Sequence, residues 1–168
     1  MHMVKTIVLG LDVSSSRTGF CVIKNGRWTK SKSSFGTIVP VGSYLGEKLV
    51  SFRDQLEAVL KRVSPTHVII EDIFSGPNVS TMKTLARFSG VAIELCRRLV
   101  GTEALVVNTV RVRSVVGCGK GKEDAFNYVC KRFHLEWNFN KHNDITDAII
   151  LALYQQQLIS SSRRNKPV

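Results

Sequence analysis

His67 to Glu71 (HVIIE) is a short apolar run of β-branched residues closed by an acid, and it leaves a strand no polar face to turn to water. Such a strand is buried on both sides, which places it centrally among parallel neighbours in a sheet covered on each face. Residues 5–13 (KTIVLGLDV) repeat the pattern and read as a second buried strand that ends near Asp12. After a polar turn at Ser14–Thr18, Gly19 to Ile23 (GFCVI) read as its hairpin partner. Asn25-Gly26 is a two-residue hairpin signal, because both positions tolerate positive φ. It leads to a third strand around Trp28, which Phe35 to Val39 either extends or pairs with at its edge.

The intervening segments have helical periodicity. Leu45, Leu49, Phe52, Leu56, Val59, Leu60 and Val63 recur at steps of three and four, with Ser43 as the expected N-cap and Pro65 as the stop. Ser80 to Leu99 reads as a second helix with Leu85, Ala92, Cys96 and Leu99 on one face. Gly90 inside it costs about 1 kcal/mol against Ala, which suggests close approach by another element, such as a second copy of the helix. Ala104 to Asn108 (ALVVN) reads as a strand, Val112 to Lys122 as a basic Gly-rich connection, and Glu123 to Phe133 and Asn143 to Leu158 as helices. Three hairpin-like strands followed by alternating helices and strands give an α/β fold with a mixed sheet. One domain is expected over residues 1–159, with a basic, disordered tail over 160–168.

Lys and Arg number 24 against 13 Asp and Glu, a formal charge of +11. That excess points to a polyanion, first of all nucleic acid, whose condensed counterions are released when lysines and arginines neutralise phosphates. The chain shows no apolar run long enough to span a bilayer and no signal-peptide pattern. Cys21, Cys96, Cys118 and Cys130 contain no Cys-x-x-Cys pair and read as core residues in a reducing compartment. A cytoplasmic setting, in a bacterial cell or a phage-infected host, is expected, with no membrane partner and no nucleotide cofactor.

Four of the acids fall at telling positions. Asp12 ends the first strand and Glu71 the central one, while Asp144 and Asp147 lie three apart at the start of the last helix and share a face. If the first and central strands are neighbours, all four carboxylates converge at one end of the sheet. Crowded carboxylates repel unless a cation joins them. Mg²⁺ is the natural occupant, and two ions about 4 Å apart would activate a water and stabilise the leaving oxygen of a phosphodiester. Asp72 competes with Glu71 for the central position, because a uniformly apolar strand does not say which of the two faces the site.

In this order and spacing the sequence resembles the RuvC family of Holliday-junction resolvases, within the ribonuclease H-like superfamily. The likeness rests on Leu9-Gly10-Leu11-Asp12 with Gly19, Val68-Ile69-Ile70-Glu71 with Phe74, Leu85-Ala86-Arg87 to Gly90-Val91-Ala92-Ile93, Ser114-Val115-Val116-Gly117-Cys118-Gly119, and Asp144-Ile145-Thr146-Asp147-Ala148. It implies a mixed five-stranded sheet flanked by helices. It also implies a homodimer joined through the Gly90 helix that cuts four-way DNA junctions by paired symmetrical nicks. By that likeness Asp12, Glu71, Asp144 and Asp147 bind two Mg²⁺ per site, with Mn²⁺ able to substitute, and Phe74 stacks on an unpaired base at the crossover or else serves as a core aromatic. The family's basic residue before Val-Val-Gly aligns with Val112, so Arg111 and Arg113 share candidacy for the phosphate contact. Its second lysine is Lys120 or Lys122. Forks, three-way junctions and RNA–DNA hybrids are the alternative substrates. Leu11-Asp12 with Ser14–Ser16 and Gly19 also resembles the first phosphate loop of actin-like kinases, but those need two lobes and this chain has length for one. A module that binds branched DNA without cutting it is a third reading, and the full set of repelling acids opposes it.

Overall fold

The structure is a computed structural model, and it describes residues 5–73 and 78–164. Six strands, β1 (Ile7–Asp12), β2 (Thr18–Lys24), β3 (Arg27–Trp28), β4 (Phe35–Ile38), β5 (His67–Glu71) and β6 (Leu105–Val107), form one sheet. Its order is β3-β2-β1-β5-β6, with β4 also paired to β2. Five rows were expected and six strands are found, for a simple reason. β3 pairs with Ile23 and Lys24, whereas β4 pairs with residues 18–21 of the same strand, both antiparallel. The two are successive pieces of one outer edge, separated by the excursion at residues 29–34. β1 and β2 are antiparallel, and β1, β5 and β6 run parallel, so the double burial of HVIIE has its predicted cause.

Helices cover both faces: α1 (Leu45–Val63) and α2 (Val79–Leu95) on one side, α3 (Thr109–Val116), α4 (Lys122–Phe133) and α5 (Phe139–Arg164) on the other. The two-residue period of the strands sorts the core accordingly. Leu9, Leu11, Val22, Val68 and Ile70 pack with Phe52, Leu56, Phe88 and Leu95 of α1 and α2. Val8, Cys21, Ile23 and Ile69 pack with Ala148, Ile149 and Ala152 of α5.

Several boundaries differ from the sequence expectation. α2 begins at Val79, one residue before the expected Ser80, and is capped by Asn78, its side chain accepting from Thr81 N at 3.1 Å; a π-helical turn over Cys96–Val100 continues the helix. Tyr44 rather than Ser43 occupies the N-cap of α1. There Glu47 Oε2 reaches back to accept from Ser43 N at 2.7 Å and Tyr44 N at 3.2 Å. Half of the expected Gly-rich connection is α3, opened by Asn108, whose side chain accepts from Val110 N at 2.8 Å. Finally, α5 begins at Phe139, one turn earlier than read, and runs to Arg164, where the Arg163 guanidinium donates to Thr6 Oγ1 at 2.7 Å. Residues 160–164 of the stretch assigned to the tail thus belong to this helix.

The long α5 lies close on the sheet because two glycines make room for it. A Cβ at Gly10 would stand 2.3 Å from the Ala148 carbonyl oxygen, and one at Gly19 would stand 2.0 Å from that of Asp144. Glycine is required at both positions by backbone approach, and this closeness brings the acids of α5 to the strand ends.

Candidate active site

Strand periodicity decides which of the two neighbouring acids, Glu71 or Asp72, faces α5. Val8 and Gly10 of β1 face α5, so Asp12 does as well; Ile69 of β5 faces α5, so Glu71 follows and Asp72 does not. Leu11 partners Ile70, and one residue further along the parallel ladder Asp12 and Glu71 stand side by side. The Glu71 carboxyl lies close enough to Asp12 to act on it electrostatically. Asp72 is exposed, and its Oδ1 accepts from Ile73 N at 2.8 Å.

Asp12 is only 8 % exposed. Burial, then the neighbouring Glu71 and Asp147 charges, push its carboxyl well above the usual range, with Lys122 opposing. Asp147, 6 % exposed, is likewise raised by burial, against the pull of Lys122 and Arg113. Arg113 Nη2 donates to Asp147 Oδ1 at 3.3 Å. Lys122 Nζ stands 3.3 Å from Oδ2, yet that buried oxygen receives no well-aligned hydrogen bond among the described residues. Partial desolvation works against the Lys122 ammonium, but Asp147, Asp12 and Glu71 together hold it above the usual lysine value.

Asp144 sits apart from these three. Arg17 Nε donates to its Oδ2, and Arg17 Nη2 donates to the Asn140 carbonyl at 3.0 Å, tying the β1–β2 turn to the start of α5. Asp12, Glu71, Asp144 and Lys122 line one cleft of about 270 Å³, together with Ser14, Asp72 and, from α2, Leu85 and Ser89. Asp147 lies behind Lys122. Among the described residues no three His, Cys, Asp or Glu side chains stand close enough to hold an ion as placed, because protein cations occupy the flank of each α5 acid. The donor chemistry nevertheless fits a hard divalent cation. Buried Asp12 and half-buried Glu71 stand side by side, and Asp147 offers a buried oxygen without a hydrogen bond among the described residues.

The structure separates the basic candidates. Arg111 and Arg113 are two apart on α3, so they project to nearly opposite sides; Arg113 is half-buried against Asp147, Arg111 is exposed, and Val112 between them is core at 1 % exposure. Lys122 reaches the acids. Lys120 is exposed and contributes its backbone carbonyl, which accepts from Arg113 Nη1 at 3.0 Å. Phe74 lies outside the described residues. Sequence reasoning overlooked two side chains. Arg17 carried no signal beyond its charge, and Thr109, whose hydroxyl donates to Glu71 Oε1, lies in the 109–111 gap between the expected strand and the expected connection, where no helix was read.

The fold is that of the ribonuclease H-like resolvases. The chain is similar to the Thermus thermophilus RuvC solved in complex with a Holliday junction substrate, with a TM-score of 0.74 at 16% identity over 97% of this chain and 99% of that one. It is also similar to the yeast mitochondrial Holliday junction resolvase Ydc2, with a TM-score of 0.61 at 12% identity over 95% of this chain and 81% of that one. The profile for Crossover junction endodeoxyribonuclease RuvC matches residues 8–155, and the chain belongs to that family. Proteins of that name from Dictyoglomus turgidum and Helicobacter pylori are each 27% identical, covering 90% and 89% of this chain and 98% and 96% of their own length.

Proposed function

We propose that this protein is a divalent-metal-dependent, structure-selective DNA endonuclease that resolves four-way junctions by paired, symmetrical nicks and acts as a homodimer. The observation that carries the reading is the juxtaposition of Asp12 and Glu71 on adjacent parallel strands, beneath Asp147 of α5, at the mouth of a cleft edged by Lys122. Asp12, Glu71, Asp144 and Asp147 would hold the metal, taken as two Mg²⁺ ions that Mn²⁺ can replace. When bound, the metal supplies Lewis acidity and a more acidic water.

The chain's own residues do the rest. Thr109 fixes the Glu71 carboxylate, and Arg113 fixes Asp147, so both acids are oriented before substrate arrives. Lys122, with 57% of its side chain exposed at the cleft, is placed to take a phosphate oxygen once Asp147 is otherwise neutralised. Arg17 stands in the same relation to Asp144 at the opposite lip. The net charge of +11 favours holding the polyanion. Among the described residues no helix is long and apolar enough to cross a membrane, and a cytoplasmic setting suits an enzyme acting on DNA. Gly90 is exposed on α2, and among the described residues nothing lies within 4 Å of where a Cβ would be, which leaves room for a second copy of this helix.

The test uses end-labelled four-way junction, three-way fork, linear duplex and RNA–DNA hybrid, each with Mg²⁺ and with EDTA. Paired symmetrical nicks in the four-way junction, present only with metal, are expected. Asp147→Asn should abolish them while leaving junction binding within a few-fold, because the basic surface is untouched. Normal cutting by that variant refutes the site, and equal cutting of forks or hybrids moves the substrate to those classes.

A further inference from the structure

From Val13 to Gly46 the chain runs 34 residues without an acid, while Arg17, Lys24, Arg27, Lys30 and Lys32 fall inside it. Arg17 is engaged with Asp144. The other four are exposed along the outer edge of the sheet, and none of them is in an ion pair among the described residues. The end of α4 docks beside them. Lys30 Nζ donates to the His134 carbonyl at 3.4 Å, and the Trp28 ring meets Phe133 with centroids 4.8 Å apart. Exposed Lys131 and Arg132 thereby join the same surface, and the only acid between Asp124 and Asp144 is Glu136.

The loop that presents Lys30 and Lys32 is built. Buried Ser34 donates its hydroxyl to the Ser31 carbonyl at 2.8 Å, its backbone N–H donates to the same oxygen at 2.9 Å, and its own carbonyl accepts from Val22 N at 2.7 Å. Trp28, Phe35 and Trp137 pack under it. Four cations held on a fixed edge with their charge unspent constitute a phosphate-contact surface.

We infer that the outer edge formed by Lys24, Arg27, Lys30 and Lys32, with the end of α4, is a second DNA-contact surface that grips a duplex arm away from the cut. This rests on the nuclease reading above. Position fixes the reach. Along β2, Gly19 stands beside Asp12 and Lys24 beside Ile7. The five steps from Gly19 to Lys24 span about 17 Å at ~3.4 Å each, which matches about five base pairs at ~3.4 Å per step.

Charged edge strands also serve to block edge-to-edge pairing of sheets, and the experiment separates the two roles. The double substitution Lys30→Gln with Lys32→Gln alters exposed side chains only. Junction affinity is read as a function of salt, with Ca²⁺ replacing Mg²⁺ to suppress cutting. Loss of two phosphate contacts should make the slope of log affinity against log salt shallower by about 2, and weaken binding roughly 60-fold at 0.1 M salt. The cutting rate at saturating protein with Mg²⁺ should hold. Arms trimmed to about four base pairs should weaken the unaltered protein and leave the variant's affinity where it was. Unchanged affinity and slope, with or without new self-association of the variant, overturn the inference while leaving the nuclease reading intact. Failure of the unaltered protein to bind or cut branched DNA sinks that reading, and this one with it.

Discussion

Gly19→Ala is the sharpest probe of how the fold makes the site. The added methyl would sit 2.0 Å from the Asp144 carbonyl oxygen, 2.3 Å from its carbon and 2.9 Å from Ile145 N. All three are helix backbone, so no side-chain rotation relieves the clash. Retreat from 2.0 Å to an ordinary contact of 3.4 Å requires about 1.4 Å of movement by the Asp144 turn or by β2. Overpacking of this kind costs typically ~1–3 kcal/mol, and a backbone obstacle puts it at the upper end. At about 2–4 °C per kcal/mol for a chain of this size, the Tm should fall by roughly 6–12 °C. Activity should suffer more than stability, since misplacing a catalytic group by about 1 Å can cost ~100-fold. Thermal unfolding and single-turnover junction cleavage at 25 °C, where the variant is still folded, read the two separately. A variant with unchanged Tm and full cutting rate refutes the claim that α5 is seated by direct backbone approach.

Two further outcomes follow from the same structure. Asp12 is held above the ordinary carboxylate value by burial and by its acidic neighbours, so folding favours its neutral form. The stability this gives is fully present below the unfolded value near 3.8 and is lost as pH rises through the higher folded one. Asp12→Asn should therefore raise the Tm of the protein in EDTA at neutral pH, with the gain shrinking as pH falls toward 4, while abolishing cleavage; an equal gain at every pH removes the explanation. Gly90→Ala meets no obstacle and should stabilise the chain by about 0.5–1 kcal/mol at protein concentrations too low for association. If Gly90 faces a second copy, sedimentation should show weaker self-association of the same variant, and unaltered association places the dimer contact elsewhere.

The central part of the fold was legible because its signals were redundant. HVIIE and KTIVLGLDV admit few alternatives to buried parallel strands, and the steps of α1 end at a proline. Glu71 against Asp72 was undecidable from the strand alone, since an apolar run has no polar phase. It was settled by which neighbours Ile69 and Val68 pack against, a tertiary fact. α3 was missed because an eight-residue helix followed by Gly117 and Gly119 and rich in Arg and Val has weak propensity, and its capping by Asn108 and packing of Val112 and Val116 override that. Missing it also hid Thr109 and left Arg111 and Arg113 equivalent. The shared face of Asp144 and Asp147 on a helix was legible, but their ion pairs were not. Arg17 lies 127 residues from Asp144, and pairing over that span has no sequence signature.

The helix that carries Asp144 and Asp147 also fills one of the two cores through Ile145, Ala148, Ile149 and Ala152. On the proposed reading, half of the acids that would hold the metal are therefore delivered only when that helix docks. A nascent or partly melted chain holds its acids on separate segments, so the protein becomes hazardous to a genome no earlier than it becomes fully native.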